Sequence, residues 1–558
     1  MIGNTLKSVL TRRLPWLGGL VLVGLVLGVW LAPVAYGANI VVNSTEDTSV
    51  PGDGACTLRE AINNANTDSD TTGGDCVTGS GADTMSFSVT GTIRLGSELP
   101  AISQDLTISG PGQANLTISG DTNNDGTGDV PILTVNSGVA FTLESLTVAK
   151  GVRSSSGGGI SNFGTLYVTN STFSGNIARS GGGIFNDSGT LNVSNSTFSS
   201  NSAPGTLAIG GGIYNSGGTL TVSNSTFSGN SSTFFGGGIS NSGTLAVSNS
   251  TFSGNSGGTF GGGGISNSGT LAVSNSNFSG NSGNAGGGIL QNGGTLTVTN
   301  STFSGNSGNG GGGIYKSGGT LTVTNSTFSG NSASGFGGGI HNAGGSTTLR
   351  NTIVANSPSG GNCSGPITDG GGNLRWPNTD LSCVGAFGDP KLGPLANNGG
   401  PTQTMALLAS SAAIDAGVNS TCAAPPVNNL DQRGQPRPVD GNSDGTATCD
   451  IGAYELQIPF PPLETTPPRC ALTAVIPGPP KQFEITVQER DSGLAAINVL
   501  VAQNFSVTIP PFAAGARQVV VTATKIDQSM RAEVVLEVID VAGNKTTCGP
   551  VRDEAGSP

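Results

Sequence analysis

The stretch Gly236–Gly258, GGGISNSGTLAVSNSTFSGNSGG, holds no acid, base, histidine or cysteine, and near-copies of it fill the middle of the 558-residue chain. The phenylalanine of its TF (or NF) step recurs at Phe173, Phe198, Phe227, Phe252, Phe278, Phe303 and Phe328, at intervals of 25, 29, 25, 26, 25 and 25 residues. The isoleucine of GGGI recurs in step from Ile160 to Ile340, and the leucine of GTL from Leu166 to Leu321. Within a copy, stretches such as GTLTVTN alternate apolar and polar residues, the period of a strand with one buried face. Three such strands in about 25 residues make one turn of a parallel solenoid. Turns stacked about 4.8 Å apart pair each strand with its own copy, so eight turns span roughly 38 Å. One turn cannot bury its apolar face alone; the stack can. A charge repeated in every turn would face its own copy, which accounts for the uncharged repeat.

Two asparagine columns run at strand ends, from Asn170 to Asn351 and from Asn176 to Asn356. Both are expected to form sharp corners and amide ladders, since Asn tolerates the left-handed conformation and can bond to its copies. Six members of the first column also read NST, a glycosylation sequon. The expectation is that ladder side chains point inward.

Composition narrows the function. Only 10% of residues are charged and the net charge is −12, so no basic stripe exists for nucleic acid. Residues 1–37 read as a signal peptide: Lys7, Arg12 and Arg13, then an apolar run, then Ala35 and Gly37 before Ala38. An uncleaved anchor is the alternative, and the only expected membrane contact. Eight cysteines fit an oxidising compartment, and the expected pairs are Cys56/Cys76, Cys363/Cys383, Cys422/Cys449 and Cys470/Cys548.

The GGGI and FSGN motifs (FSSN at Phe198) resemble the GGAI and FxxN repeats of the polymorphic outer membrane protein family. That resemblance implies a right-handed parallel β-helix at a bacterial surface, often adhesive. The family's membrane β-barrel is not expected, because roughly the last hundred residues read differently. GDGACTLREAINNAN is similar to the CSLREA domain that commonly opens secreted β-helix proteins. Here Thr57 and Glu60 form a capping box, and Leu58, Ala61, Ile62 and Ala65 follow at helical spacing, predicting a helix over the first turn. GDPKLGPLANNGGPTQTMALLASSAAIDAG, DQRGQPRP and CDIGAYE resemble the choice-of-anchor Q domain, which implies a surface location and no reaction.

The expected organisation is a signal peptide (1–37), an N-terminal cap (38–90) and a β-helix (91–362, regular from about 157 to 356). A C-terminal cap (363–456), a proline-rich linker (457–468) and an Ig-like β-sandwich (469–558) follow.

Chemistry has few places to reside. Between Ser154 and Leu349 the only charged residues are Arg179, Asp187 and Lys316, and the chain's one histidine is His341. Polysaccharide lyases and hydrolases need clustered carboxylates or carboxylates with cations. Charge gathers near the C-terminal cap, where Asp431 and Arg433 are expected to form a pinning ion pair. Two loops carry oxygen ligands at alternate positions with glycine at the sharp turn, the pattern of a weak extracellular calcium site of about 10⁻⁴–10⁻³ M. One offers Asp121, Asn123, Asp125, Thr127 and Asp129; the other Asp440, Asn442, Asp444, Thr446 and Asp450. Neither has the bidentate Glu at position twelve. No organic cofactor is expected. The outward threonine column from Thr165 to Thr320 suggests glycan binding or ice binding, against an ordinary polar strand surface.

The sequence therefore predicts a secreted or surface-bound, non-catalytic β-helix protein, binding carbohydrate or a surface protein through its faces or its Ig-like module. A polysaccharide lyase or hydrolase is the alternative, and an ice-binding solenoid the third reading.

Overall fold

The computed structural model describes residues 37–457 and 466–555. The signal peptide, save Gly37, and most of the linker lie outside the described residues. No helix of the described residues is long and apolar enough to cross a membrane.

The chain is an all-β right-handed parallel solenoid followed by a small antiparallel sandwich. A typical turn contains Ile239–Asn241, Thr244–Ser248, Thr251–Ser253 and the short Ser256–Gly257. The first two join a 21-stranded sheet, the third a 13-stranded sheet and the fourth an 8-stranded sheet. Each turn thus meets three sheets and enters the largest twice. Register follows the repeat: Ile213 pairs with Ile239, Leu220 with Leu245 and Phe227 with Phe252.

The repeated apolar residues form continuous buried columns. Phe173 and Phe198 stack at 4.8 Å between ring centroids, and Phe303 and Phe328 at 4.5 Å. The GGG corner is required by crowding. A Cβ at Gly238 would lie 2.5 Å from the Gly264 carbonyl oxygen and 3.1 Å from the Phe252 ring.

The two asparagine columns divide their tasks, which corrects the sequence expectation. The first forms the corners: Asn170, Asn195, Asn224 and their copies to Asn351 have φ between 45° and 50°. Their side chains form no ladder among themselves, and Asn170, Asn195 and Asn224 are exposed. The left-handed backbone turns the amide outward at that corner. The second column is the true inward ladder: Asn176 Nδ2 donates to Asn201 Oδ1 at 2.9 Å, and the pattern continues through Asn331. A third ladder went unread in the sequence. Asn162, Asn186, Asn215, Asn241 and Asn267 pass amide bonds of 2.6–2.7 Å, and Asn267 then donates to Gln291 at 2.8 Å. Lys316 occupies the next place in that column, fully buried, and donates to Asn342 Oδ1 at 3.1 Å and to the Gly344 carbonyl.

The N-terminal helix Leu58–Thr67 carries the capping box, with Leu58, Ala61, Ile62 and Ala65 buried. At the other end, residues 363–456 do more than cap. Leu374–Trp376 and Ala386–Phe387 extend the 13-stranded sheet. The chain then folds back along the outside of the solenoid. Thr402 Oγ1 donates to the Asn275 carbonyl at 2.9 Å, Thr302 Oγ1 to Gln432 Oε1 at 2.7 Å, and the Ala453 N–H to Thr327 Oγ1 at 3.0 Å. This return segment buries Asn300, Asn325 and Asn351, whereas Asn170, Asn195 and Asn224 stay exposed and Asn249 and Asn275 are half-buried.

The C-terminal sandwich has a four-stranded and a three-stranded antiparallel sheet. Its first strand, Arg469–Ile476, and last, Lys545–Asp553, are joined by Cys470–Cys548.

Candidate functional site

The outward residue after each GGGI isoleucine forms a column on the largest sheet. In register it reads Ser161, Phe185, Tyr214, Ser240, Ser266, Leu290, Tyr315 and His341. Beside it runs a second row, contributed by the segment before each glycine corner. Ile209 pairs with Phe235, and Gly310 with Phe336. Gly261 and Ala285 take the intervening places, with the Ala285 N–H bonded to the Gly261 carbonyl and the Gly310 N–H to the Ala285 carbonyl; Phe260, one residue before Gly261, adds its ring beside the row.

Where this row is aromatic it rises from the surface; where it shrinks to Ala285 and Gly310 it leaves a gap. The result is a groove of about 520 Å³ with Leu290, Tyr315 and His341 on its floor and Phe260 and Phe336 at its ends. Gly310 sets the depth, since a Cβ there would lie 3.0 Å from the Tyr315 ring. The Tyr315 and His341 rings are 5.2 Å apart, and Phe336 and His341 5.7 Å. Phe260 and Phe336 are 55% and 63% exposed.

Neutral polar groups complete the groove. Asn309 Oδ1 accepts from Ser334 Oγ at 2.8 Å and Asn292 Oδ1 from Ser317 Oγ at 2.7 Å. Each amide oxygen is thereby engaged, and each Nδ2 is left to donate elsewhere. Among the described residues no Asp, Glu, Lys or Arg lines the groove, and His341 is its one base. Burial holds its pKa below the ordinary value, partly offset by a hydrogen bond with the Ser364 backbone. Its Nδ1 has no hydrogen-bond partner among the described residues.

The family described as a right handed beta helix region matches residues 184–358, the stretch that contains this groove. Among solved structures, that of pectate lyase Pel9A matches at TM-score 0.35 and 15% identity, over 75% of this chain and 96% of that one. No curated protein matches the chain.

The remaining sequence-predicted residues lie elsewhere. The cysteines pair as Cys56–Cys76, Cys363–Cys383, Cys422–Cys449 and Cys470–Cys548. Four disulfides indicate an exported protein of an oxidising compartment. In the loop from Asp121 to Asp129, the Asp121 carboxylate takes the Lys150 ammonium at 2.9 Å and the Asp125 and Gly126 N–H groups at 3.1 Å. The Lys150 bond lowers the Asp121 pKa. Asp125 bonds to Asn123 and Thr127, and Asp129 to Thr122. In the second loop, Asp444 bonds to Asn442 and Thr446, and Asp440 to Gly445. Asp450 turns inward, accepting from the Asp415 and Leu456 N–H groups at 2.8 and 2.7 Å. Among the described residues no three of His, Cys, Asp and Glu gather as a metal site.

Asp431 and Arg433 form the expected pair at 2.7 Å, with the guanidinium 3.7 Å from the Tyr454 ring centroid. Behind them Arg437 and Glu455, both fully buried, stand 3.6 Å apart. The groove itself was missed in the sequence. Its signal was present in the Ser, Phe or Tyr place that His341 takes, but the second aromatic row lies in irregular loops of varying length.

Proposed function

We propose that this is an exported, non-catalytic surface or matrix protein that binds carbohydrate through the groove above the glycine corners. The observation that carries this reading is the pairing of exposed aromatic rings with unengaged amide donors in an uncharged cleft. The C–H face of a pyranose packs on a ring while its hydroxyls accept from Asn292 and Asn309. Hydrolysis or lyase chemistry calls for carboxylates or a base paired with a cation at the reacting bond. The groove offers His341 alone, with its basicity reduced, so binding is favoured over cleavage.

The threonine column is the weaker binding surface. Its members pair in register from Thr165 to Thr320, yet the neighbouring outward column reads Tyr167, Asn192, Thr221, Ala246, Ala272, Thr297 and Thr322. That mixture breaks the flat hydroxyl array an ice-binding face needs.

The test is incubation of the purified protein with insoluble plant, algal and bacterial polysaccharides, following both retention and new reducing ends. Retention without new reducing ends is expected. Release of reducing ends would replace this reading with an enzymatic one.

A further inference from the structure

The groove also carries information about which carbohydrate it takes. This inference rests on the carbohydrate-binding reading above. Acidic glycans, whether uronates or sulfated sugars, are held by Arg, Lys or bridging calcium. Cationic glycans are held by carboxylates. The groove supplies neither, and Lys316, next in sequence to Tyr315, points into the solenoid and is spent on Asn342 and Gly344. The net charge of −12 adds a general repulsion toward polyanions. What remains is ring surface and amide donors. Successive turns repeat at the 4.8 Å spacing of the phenylalanine stack, so the floor presents its rings at intervals along the solenoid axis.

We infer that the ligand is a neutral glycan, lying along the solenoid axis between Phe260 and Phe336 over Tyr315 and His341. Recognition comes from apolar sugar faces and hydroxyl groups, with no ionic contribution. An uncharged interface of this kind is insensitive to salt, whereas an ionic one weakens as counterions screen it.

The experiment is calorimetric titration of the purified full chain with neutral hexasaccharides (cellohexaose, xylohexaose and mannohexaose) and with a hexagalacturonate and a chitosan hexamer. Each is run at low and high salt, on the natural protein and on Ala285→Phe. That variant places at Ala285 the ring that Phe235 and Phe336 provide at the same place in other turns, filling the groove from outside the core. A neutral hexamer is expected to bind with a salt-independent Kd, and Ala285→Phe to weaken it at least about tenfold. Its unfolding midpoint should match the natural protein. Binding of the galacturonate or chitosan hexamer in preference, lost in Ala285→Phe, would overturn the neutral assignment and leave the carbohydrate reading standing. Equal binding of a neutral hexamer by both proteins would move the site away from this groove. No binding by any hexamer would remove both readings.

Discussion

Asn201 Nδ2 donates to Asn230 Oδ1 at 2.9 Å, and the same oxygen accepts the Asn201 backbone N–H at 3.0 Å. Asn230 in turn donates to the Phe198 carbonyl and to Asn255 Oδ1, both at 2.9 Å. One side chain thus satisfies groups on several turns, in an interior where each unmet group carries its full desolvation cost. Asn230→Ala is expected to destabilise the solenoid by about 2–3 kcal/mol. A drop in the urea midpoint checks this. Asn224→Ala, which removes an exposed amide, lowers stability less and through its left-handed backbone alone.

The phenylalanine stack carries a larger share. Phe252 is fully buried, with Phe227 and Phe278 each 4.8 Å away. Phe252→Ala should cost about 3–5 kcal/mol, because both neighbouring rings are held by other turns and cannot collapse into the gap. Thermal unfolding followed by near-ultraviolet signal and by limited proteolysis would show whether the loss stays local, as nearest-neighbour coupling in a repeat array predicts.

The return segment should weaken as pH rises. Burial, with carboxylate–carboxylate repulsion for Glu455, pushes Asp450 up to about 7 and Glu455 up to about 8, from ordinary values of 3.8 and 4.5. The folded chain therefore holds more protons than the unfolded chain between those limits. The associated stability is complete below about pH 4 and is lost as pH rises through 7 to 8. Proteolysis of residues 392–456 should be faster at pH 9 than at pH 5.5, and Glu455→Gln should flatten the difference.

Calcium at the first candidate loop competes with an internal cation. Lys150 Nζ lies 2.9 Å from Asp121 Oδ2, so a metal there must displace the ammonium. Lys150→Ala is expected to raise calcium affinity above that of the natural protein, read by calorimetry at millimolar calcium. Absence of binding heat in both proteins would exclude this loop as a calcium site.

The sequence by itself determined the solenoid, its core and its period. In a parallel stack each strand pairs with its own copy, so Ile213 beside Ile239 or Phe227 beside Phe252 follows from spacing alone. The helix cap over Leu58–Thr67 was legible for the same kind of reason, a local rule acting over four residues. Only the tertiary structure decided which asparagine column faces inward, because Asn170 and Asn176 look alike until the backbone conformation at each corner is known. It also decided the return segment, whose contacts join residues as distant as Thr402 and Asn275 without any shared period. The groove belongs to this second class. Tyr315 and His341 are neighbours by repeat, but Phe260, Ala285, Gly310 and Phe336 come beside them through loops of unequal length, and a cleft exists only where the small residues of one row meet the rings of the other.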